Sequence, residues 1–161
     1  MTTTPARPHL AAIAGSVLAA GLLLSVPVPV WASAWQPPWL TLVVAYWCLA
    51  QPDRVGVTAA FVLGVLQDAL TGAPLGQHAL AMAVVAAAVL AEYQRLRVLP
   101  LWQQAALLAP LLAVHQVLLA LVSGSGGRPV SAAMLLPALS GAVVWPWLFL
   151  TLRDLRRRAG H

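Results

Sequence analysis

Long apolar runs, separated by short polar breaks, cover almost the whole chain. A transmembrane helix needs about 20 mostly apolar residues to cross the hydrocarbon core of a bilayer, and most of the runs come close to that length. The predicted spans lie near residues 10–30, 35–51, 55–71, 77–91, 99–122 and 130–152. The pattern therefore predicts an all-α membrane protein, a compact bundle of six transmembrane helices in a single domain, 1–161.

The composition agrees with a polytopic membrane protein and leaves no room for a soluble domain. Hydrophobic residues make up 61% of the 161 residues, charged residues make up 8%, and the mean hydropathy is +0.84. No polar block is long enough to form a separate catalytic domain outside the membrane. The formal net charge of +5 comes from arginines at the ends of spans, so we attribute it to membrane orientation and expect no nucleic-acid partner.

All nine basic residues are arginines, and they lie near the N-terminus, in the breaks and in the tail at 153–161. Loops with an excess of arginine stay in the cytoplasm. Six crossings place both termini on one side, and eight of the nine arginines then fall on that side. The sequence therefore predicts cytoplasmic termini, cytoplasmic loops at Arg54 and at 92–97, and an external Arg128. The tail is expected to anchor this topology or to attract anionic lipid or a partner.

The second span leaves an alternative to six crossings open. Its unbroken apolar part covers only Trp39–Ala50, and Pro37 and Pro38 precede it. Prolines are tolerated in the first turn of a helix, because the amide groups there have no partners within the helix. If this segment did not cross, Arg54 would lie on the other side of the membrane. We therefore keep six spans as the prediction.

The first span also resembles a cleavable secretory signal. Arg7 and His9 precede an apolar run, and Ala32, Ser33 and Ala34 form an Ala-x-Ala sequence of the kind that signal peptidases cleave. The run is long for a signal and continues from Val26 to Val30, so we expect a retained transmembrane helix.

A lone carboxylate, Asp68, ends the apolar run that begins at Phe61 and precedes a glycine-proline hairpin at 71–76. An ionisable group in a membrane segment is costly unless it faces protein or water. Ala60 and Gly64 recur four residues apart on the same helical face, where small side chains allow a neighbouring helix to approach closely. Three partners remain open for Asp68: the hairpin amides, the side chains of His115 or Gln116 at a similar depth, or water.

Recognisable catalytic and ligand-binding motifs are missing from the sequence. Cys48 is the only cysteine, so no intramolecular disulfide can form. His9, His78, His115 and His161 are scattered and lack the spacing of metal ligands. We therefore expect neither a metal nor another cofactor, and no enzymatic activity.

Several short elements together resemble the MreD family of rod shape-determining membrane proteins, over about 35–158. Pro52-Asp53-Arg54-Val55 is followed by Gly64-x-x-x-Asp68 and by Gly72-x-x-Leu75-Gly76, which includes Pro74. Trp102, Gln103 and Gln104 then form one later element. Trp145, Pro146 and Trp147 form another, before the arginine-rich tail. The combination at these separations is similar to the proteobacterial branch of the family.

The resemblance implies a small, non-enzymatic subunit of the bacterial inner membrane. It would work beside MreC, cytoskeletal MreB, the glycosyltransferase RodA and its class B penicillin-binding partner in lateral-wall peptidoglycan synthesis. It also implies a fold similar to the membrane substrate-binding subunits of energy-coupling-factor transporters, although a shared architecture does not transfer a ligand.

Two hypotheses follow for the role of the chain. In the first, it is a scaffold that binds MreC through helix faces and the hairpin around 72–76. In the second, it binds a small molecule or a lipid intermediate in a cavity around Asp68, Gln67, His115 and Gln116. Solute-binding bundles carry several buried polar groups near the middle of the membrane, whereas this chain has few. The sequence therefore favours the scaffold.

Overall fold

The computed structural model describes residues 7–124 and 132–160, with side chains from residue 10 onward, and it is helical throughout these ranges apart from short connections. The helices are α1 (Arg7–Ser25), α2 (Val30–Ser33), α3 (Trp39–Ala50), α4 (Val57–Thr71), α5 (Gln77–Leu96), α6 (Leu101–Val122) and α7 (Leu136–Ala159). A 3₁₀ turn, Ala132–Leu135, leads into α7. The prediction of an all-α bundle is confirmed.

Helix α3 lies at the centre of the bundle, with α1, α5 and α7 packed around it. Ten of its twelve residues are buried, from Leu40 to Leu49. It packs against α1, α5 and α7, while α5 also packs against α4 and α6, and α7 against α1 and α6. A helix that is apolar on every face is expected at such a fully enclosed position. Helix α4, in contrast, packs chiefly against α5 and lies at the edge of the bundle.

Neighbouring helices in the chain run in opposite directions. Gln36, just before α3, donates a hydrogen bond to the carbonyl of Leu23 near the end of α1. At the other end, Arg156 in α7 donates to the carbonyl of Ala50, the last residue of α3. We call this second end, which holds the last turns of α3, α5 and α7, the arginine end, because Arg54, Arg95, Arg97 and the arginines of α7 lie there. The opposite end contains residues 72–76 and is called the hairpin end.

Three helical segments are long and apolar enough to cross a membrane by length and composition: Gln77–Leu96, Leu101–Val122 and Ala132–Ala159. The other apolar helices are shorter, namely Leu10–Ser25, Trp39–Ala50 and Val57–Thr71. The chain is thus an all-helical membrane protein, and the crossing of all six helices stays a prediction.

Several predicted span boundaries differ from the observed helix ends. The first helix ends at Ser25 rather than near residue 30, because Pro27 and Pro29 follow, and proline cannot continue the ladder of backbone hydrogen bonds. Helix α5 continues past residue 91 to Leu96. The last helix begins later than residue 130 and continues to Ala159, so the arginines at 153–158 lie on a helix rather than in a loose tail.

The three prolines of the last two spans have different positions. Pro110 and Pro146 lie inside α6 and α7, and both helices continue through them. Pro137 lies in the first turn of α7, where a missing amide hydrogen costs nothing. Arg128 lies outside the described residues, as do residues 125–127 of the serine- and glycine-rich segment 123–127.

Helix α1 contributes to the core of the bundle. Ala12, Ser16 and Ala20 are buried, and the indole nitrogen of Trp47 donates a 2.8 Å hydrogen bond to the Ser16 hydroxyl. These residues recur every four positions, which places them on one face of the helix. Retention of this helix in the mature protein stays a prediction.

Candidate functional site

A very close helix contact involves the face of α4 that contains Ala60, Gly64 and Asp68. Ala60 and Asp68 are fully buried. A Cβ atom placed on Gly64 would lie 2.4 Å from the Cα and 2.6 Å from the backbone nitrogen of Ala79 in α5. No real side chain fits at such distances, so only glycine allows this approach. The predicted small-residue face on α4 is therefore confirmed.

Asp68 accepts hydrogen bonds at both of its carboxylate oxygens. Oδ2 accepts from the backbone N–H of Gly76 at 2.8 Å. Oδ1 accepts from the backbone N–H of His78 at 2.9 Å and lies 2.7 Å from Nδ1 of the same residue. The first amides of a helix have no partner within it, and the partial positive charge at a helix N-terminus favours a carboxylate. Asp68 thus joins the end of α4 to the start of α5, and we call this set of contacts the Asp68 clamp.

His78 is the residue of this site that sequence reasoning missed. It was considered only as a metal ligand, and its lack of ligand spacing set it aside. An ionised carboxylate can only accept hydrogen bonds, so Nδ1 of His78 must be the protonated nitrogen that donates to Asp68. One signal was available in the sequence: His78 is the second residue of a helix that follows a tight hairpin, within reach of the preceding carboxylate.

The hairpin between the two helices depends on two glycines in the left-handed region. Gly72 ends α4 with φ of 68°, and Gly76 precedes α5 with φ of 98°. Ordinary residues rarely adopt these angles, whereas glycine does so without a steric penalty. Pro74 accepts a hydrogen bond from the amide of Gln77, which closes the turn. Leu75 at the tip is 78% exposed.

His115 and Gln116 do not contact Asp68. The Nε2 atom of His115 lies 3.1 Å from the hydroxyl of Thr41 in α3, and both side chains are buried. Gln116 is only half-buried. Asp68 has its hydrogen bonds with Gly76 and His78 among the described residues. Of the three partners that the sequence left open, the structure therefore shows the hairpin amides.

The tryptophan-glutamine and tryptophan-proline elements meet near the arginine end. Gln104 in α6 is buried, and its Oε1 accepts a 3.3 Å hydrogen bond from the indole nitrogen of Trp145 in α7. Its Nε2 donates to the carbonyls of Leu96 and Leu99 at 2.9 and 3.1 Å. One side chain thus fixes the connection between α5 and α6 and joins it to α7. We call these contacts the Gln104 junction.

The other residues of these two elements do not join the junction. Trp102 and Trp147 are 68% and 65% exposed, and Gln103 and Pro146 are half-buried. Large aromatic side chains on the outside of a membrane bundle suit the lipid or its interface. Arg54 lies in the exposed turn between α3 and α4, at the arginine end.

A groove opens between α5 and α6, away from Asp68. Its volume is about 650 Å³, and Ala88, Val89, Leu107 and Leu111 are among its apolar lining residues. Glu92 and Arg95 lie at its margin, and the Gln104 junction is part of its wall. We call it the α5–α6 groove. The residues of the hypothesised cavity around Asp68 are not among its lining.

Within the described ranges, no three histidine, cysteine or acidic side chains lie close enough to hold a metal ion. The site holds backbone and side chains in place, and Asp68 is fully buried with both oxygens engaged. Such an arrangement positions a hairpin.

Comparisons with known proteins point to the same family as the sequence motifs that contain Asp68 and Gln104. A family model described as rod shape-determining protein MreD matches residues 10–155. A curated rod shape-determining protein MreD from Haemophilus influenzae is 35% identical over 133 residues, which cover 82% of each chain. This chain belongs to the MreD family. No solved structure matches it significantly.

The Asp68 clamp and the Gln104 junction both lie within the residues that match the MreD family model, and so do both glycines of the hairpin. The chain is accordingly a rod shape-determining membrane protein. The predicted resemblance is confirmed.

Proposed function

We propose that this MreD-family chain is a non-enzymatic scaffold subunit of the cell-elongation complex in the bacterial inner membrane. In this role it binds MreC directly. It works with MreB, RodA and the class B penicillin-binding protein to support lateral-wall peptidoglycan synthesis and rod shape.

The observation that carries this proposal is the Asp68 clamp. Its buried carboxylate is fully engaged by Gly76 and His78, which leaves it no free oxygen for chemistry or for a ligand. Its effect is to hold the hairpin at a defined position beside α4, with Leu75 presented outward. A rigid hairpin with an exposed apolar tip is suited to binding a protein partner.

The outer face of α4 extends this surface. Because α4 packs chiefly against α5, its opposite side is left uncovered, and Val62, Leu66 and Leu70 are exposed there. Lipid tails are as apolar as leucine, so a partner helix gains from close packing rather than from hydrophobicity. We place MreC on this face and on the hairpin tip, because the clamp fixes both relative to the bundle.

We favour the scaffold over the alternative, a ligand cavity around Asp68, because the carboxylate already has its partners and its neighbours are buried. Asp68 and His115 have 0% and 1% of their surfaces exposed, and Gln67 has 7%. His115 bonds with Thr41 rather than with Asp68. A transport or solute-binding site would require these polar groups to face a common space.

We further propose that the arginine end faces the cytoplasm. Arginine-rich loops remain on that side, and the alternating directions of the helices bring Arg54, Arg95 and the arginines of α7 together. Single cysteines at Gly124 and Gly160, in a Cys48→Ala background, test this orientation. A membrane-impermeant thiol reagent applied to intact spheroplasts should label position 124 and spare position 160. Strong labelling at 160 would contradict the orientation.

A hairpin-tip variant tests the scaffold proposal. Leu75→Glu should reduce the MreC that co-purifies from detergent by about tenfold, equivalent to about 1.4 kcal/mol, because a charge replaces an apolar contact. Val30→Glu is the matched control, since Val30 in α2 is 91% exposed but belongs to another connection. Protein abundance is measured in parallel. Equal MreC recovery with both variants would contradict binding at the hairpin.

A further inference from the structure

Two side-chain hydrogen bonds join α5 and α6, the helices that supply most of the lining of the α5–α6 groove. At the hairpin end, Gln77 in α5 donates a 3.2 Å hydrogen bond to the carbonyl of Leu119 in α6. At the arginine end, Gln104 in α6 donates to the carbonyl of Leu96 in α5. Leu49 of α3 and Trp145 of α7 also line the groove, and we call the part that they and Gln104 line its floor.

The inside of the groove suits an apolar chain. Two polar side chains line its floor, Gln104 and Trp145, and they hydrogen-bond to each other. Neither side chain is therefore left without a partner that a ligand would have to supply. In a bilayer the groove faces hydrocarbon. An empty space would forfeit dispersion contacts along its walls, and its volume of about 650 Å³ lies within the usual range of ligand pockets. A lipid acyl chain therefore matches it in both chemistry and size.

The mouth of the groove carries one base and one acid. Arg95 and Glu92 both line it, and their side chains lie 3.4 Å apart on the exposed surface of α5. Water and salt screen an exposed pair of this kind, so it is weakly held and can exchange partners readily. A phosphate fits the guanidinium of Arg95, and an ammonium group fits the carboxylate of Glu92.

We propose that the α5–α6 groove binds a phospholipid with an amine-bearing head group, from the leaflet at the arginine end. One acyl chain occupies the groove, Arg95 holds the phosphate and Glu92 holds the amine. Since every lipid tail is equally apolar, filling the groove alone selects no lipid, and the selection comes from the charged mouth. This site does not depend on MreC binding or on which side of the membrane the arginine end faces.

The wild-type protein tests the head-group assignment without any substitution. Delipidated protein in detergent is mixed with equal amounts of phosphatidylethanolamine and phosphatidylglycerol, and the bound lipid is counted by native mass spectrometry. We expect phosphatidylethanolamine to be retained at least about fivefold more often, a difference of about 1 kcal/mol. Equal retention, or a preference for phosphatidylglycerol, would overturn the proposal.

Two pairs of variants locate the site. Ala88→Trp fills the groove and should reduce bound phosphatidylethanolamine by about tenfold, whereas Ala87→Trp, on the exposed neighbouring position, should not.

Glu92→Gln should abolish the preference for phosphatidylethanolamine. Arg97→Gln, an exposed arginine outside the lining, is its control and should preserve it. Unchanged binding in Ala88→Trp with a normal gel-filtration profile would contradict the groove, and unchanged selectivity in Glu92→Gln would contradict the mouth.

Discussion

Helices α3 and α4 are both too short to fill the usual length of a transmembrane span, yet the bundle holds them in different ways. Helix α3 is buried over ten of its twelve residues by helices on several sides. Helix α4 buries only Ala60, Gly64, Gln67 and Asp68, and packs chiefly against α5. Helices on several sides therefore hold α3, whereas α4 depends on one extensive interface with α5, which contains the Gly64 contact and the Asp68 clamp.

The difference between α3 and α4 indicates which of the two helices depends more on specific contacts. A helix enclosed by neighbours tolerates loss of a single contact, because many others remain. A helix at the edge depends on its interface with one neighbour, since lipid competes equally for the rest of its surface. Substitution of the polar groups of α4 is therefore expected to lower the stability of the protein more than their small number suggests.

The largest effect is expected from Gly64→Ala. Its new Cβ would overlap the backbone of Ala79, so α5 must move away and the Asp68 clamp must separate. Overpacking of this kind costs roughly 3 kcal/mol. We expect a marked loss of thermal stability in detergent and of membrane abundance. Gly15→Ala is the matched control, since Gly15 in α1 has open space around it and alanine favours a helix.

A smaller effect is expected at the hairpin from Gly76→Val. Valine is strained at a φ of 98°, at a cost of about 1–3 kcal/mol, and the shifted backbone would weaken the bond from the Gly76 amide to Asp68. Ala73→Ser, in the same hairpin, should be nearly silent. Cell shape and membrane abundance are scored together. Equally mild phenotypes would mean that the hairpin is only a connector.

The smallest effect is expected at the Gln104 junction. A double-mutant cycle with Gln104→Leu and Trp145→Phe should give a coupling energy of about 1 kcal/mol in detergent unfolding, because one buried hydrogen bond joins the two side chains. Gln104→Leu alone should cost more than Trp145→Phe, since Gln104 also holds two backbone carbonyls. Purely additive effects would contradict the contact.

Local patterns in the sequence predicted much of this architecture. Apolar runs gave helices near the observed positions, and the four-residue spacing of Ala60, Gly64 and Asp68 identified the buried face of α4. A carboxylate before a glycine-rich hairpin also indicated hydrogen bonding to the hairpin amides. These features depend on residues close together in the chain.

Contacts between distant residues could not be predicted in the same way. Similar depth in the membrane made His115 a reasonable partner for Asp68, but depth does not define which helices are neighbours. Gln104 and Trp145 are 41 positions apart, and nothing local indicates that they bond. The groove is also invisible in the sequence, because it depends on how far α5 and α6 diverge.

Asp68 provides the most direct test of the claim that a polar clamp holds the partner surface. Asp68→Asn keeps one acceptor for His78 but turns an amide donor toward the Gly76 N–H, while Asp68→Leu removes every acceptor. Rod morphology and co-purified MreC should therefore decline from wild type through Asn to Leu at equal abundance. Asp53→Asn, at an exposed turn, is the control.

The decisive measurement is MreC recovery with Asp68→Leu, normalised to membrane abundance by immunoblot. Leucine is a strong helix former and carries no polar group that needs a partner, so the variant should accumulate while the hairpin shifts. We predict a loss of MreC by about tenfold together with loss of rod shape. Lost rod shape with MreC retained would favour a ligand role for the Asp68 region instead. Retention of both MreC and rod shape would contradict the account.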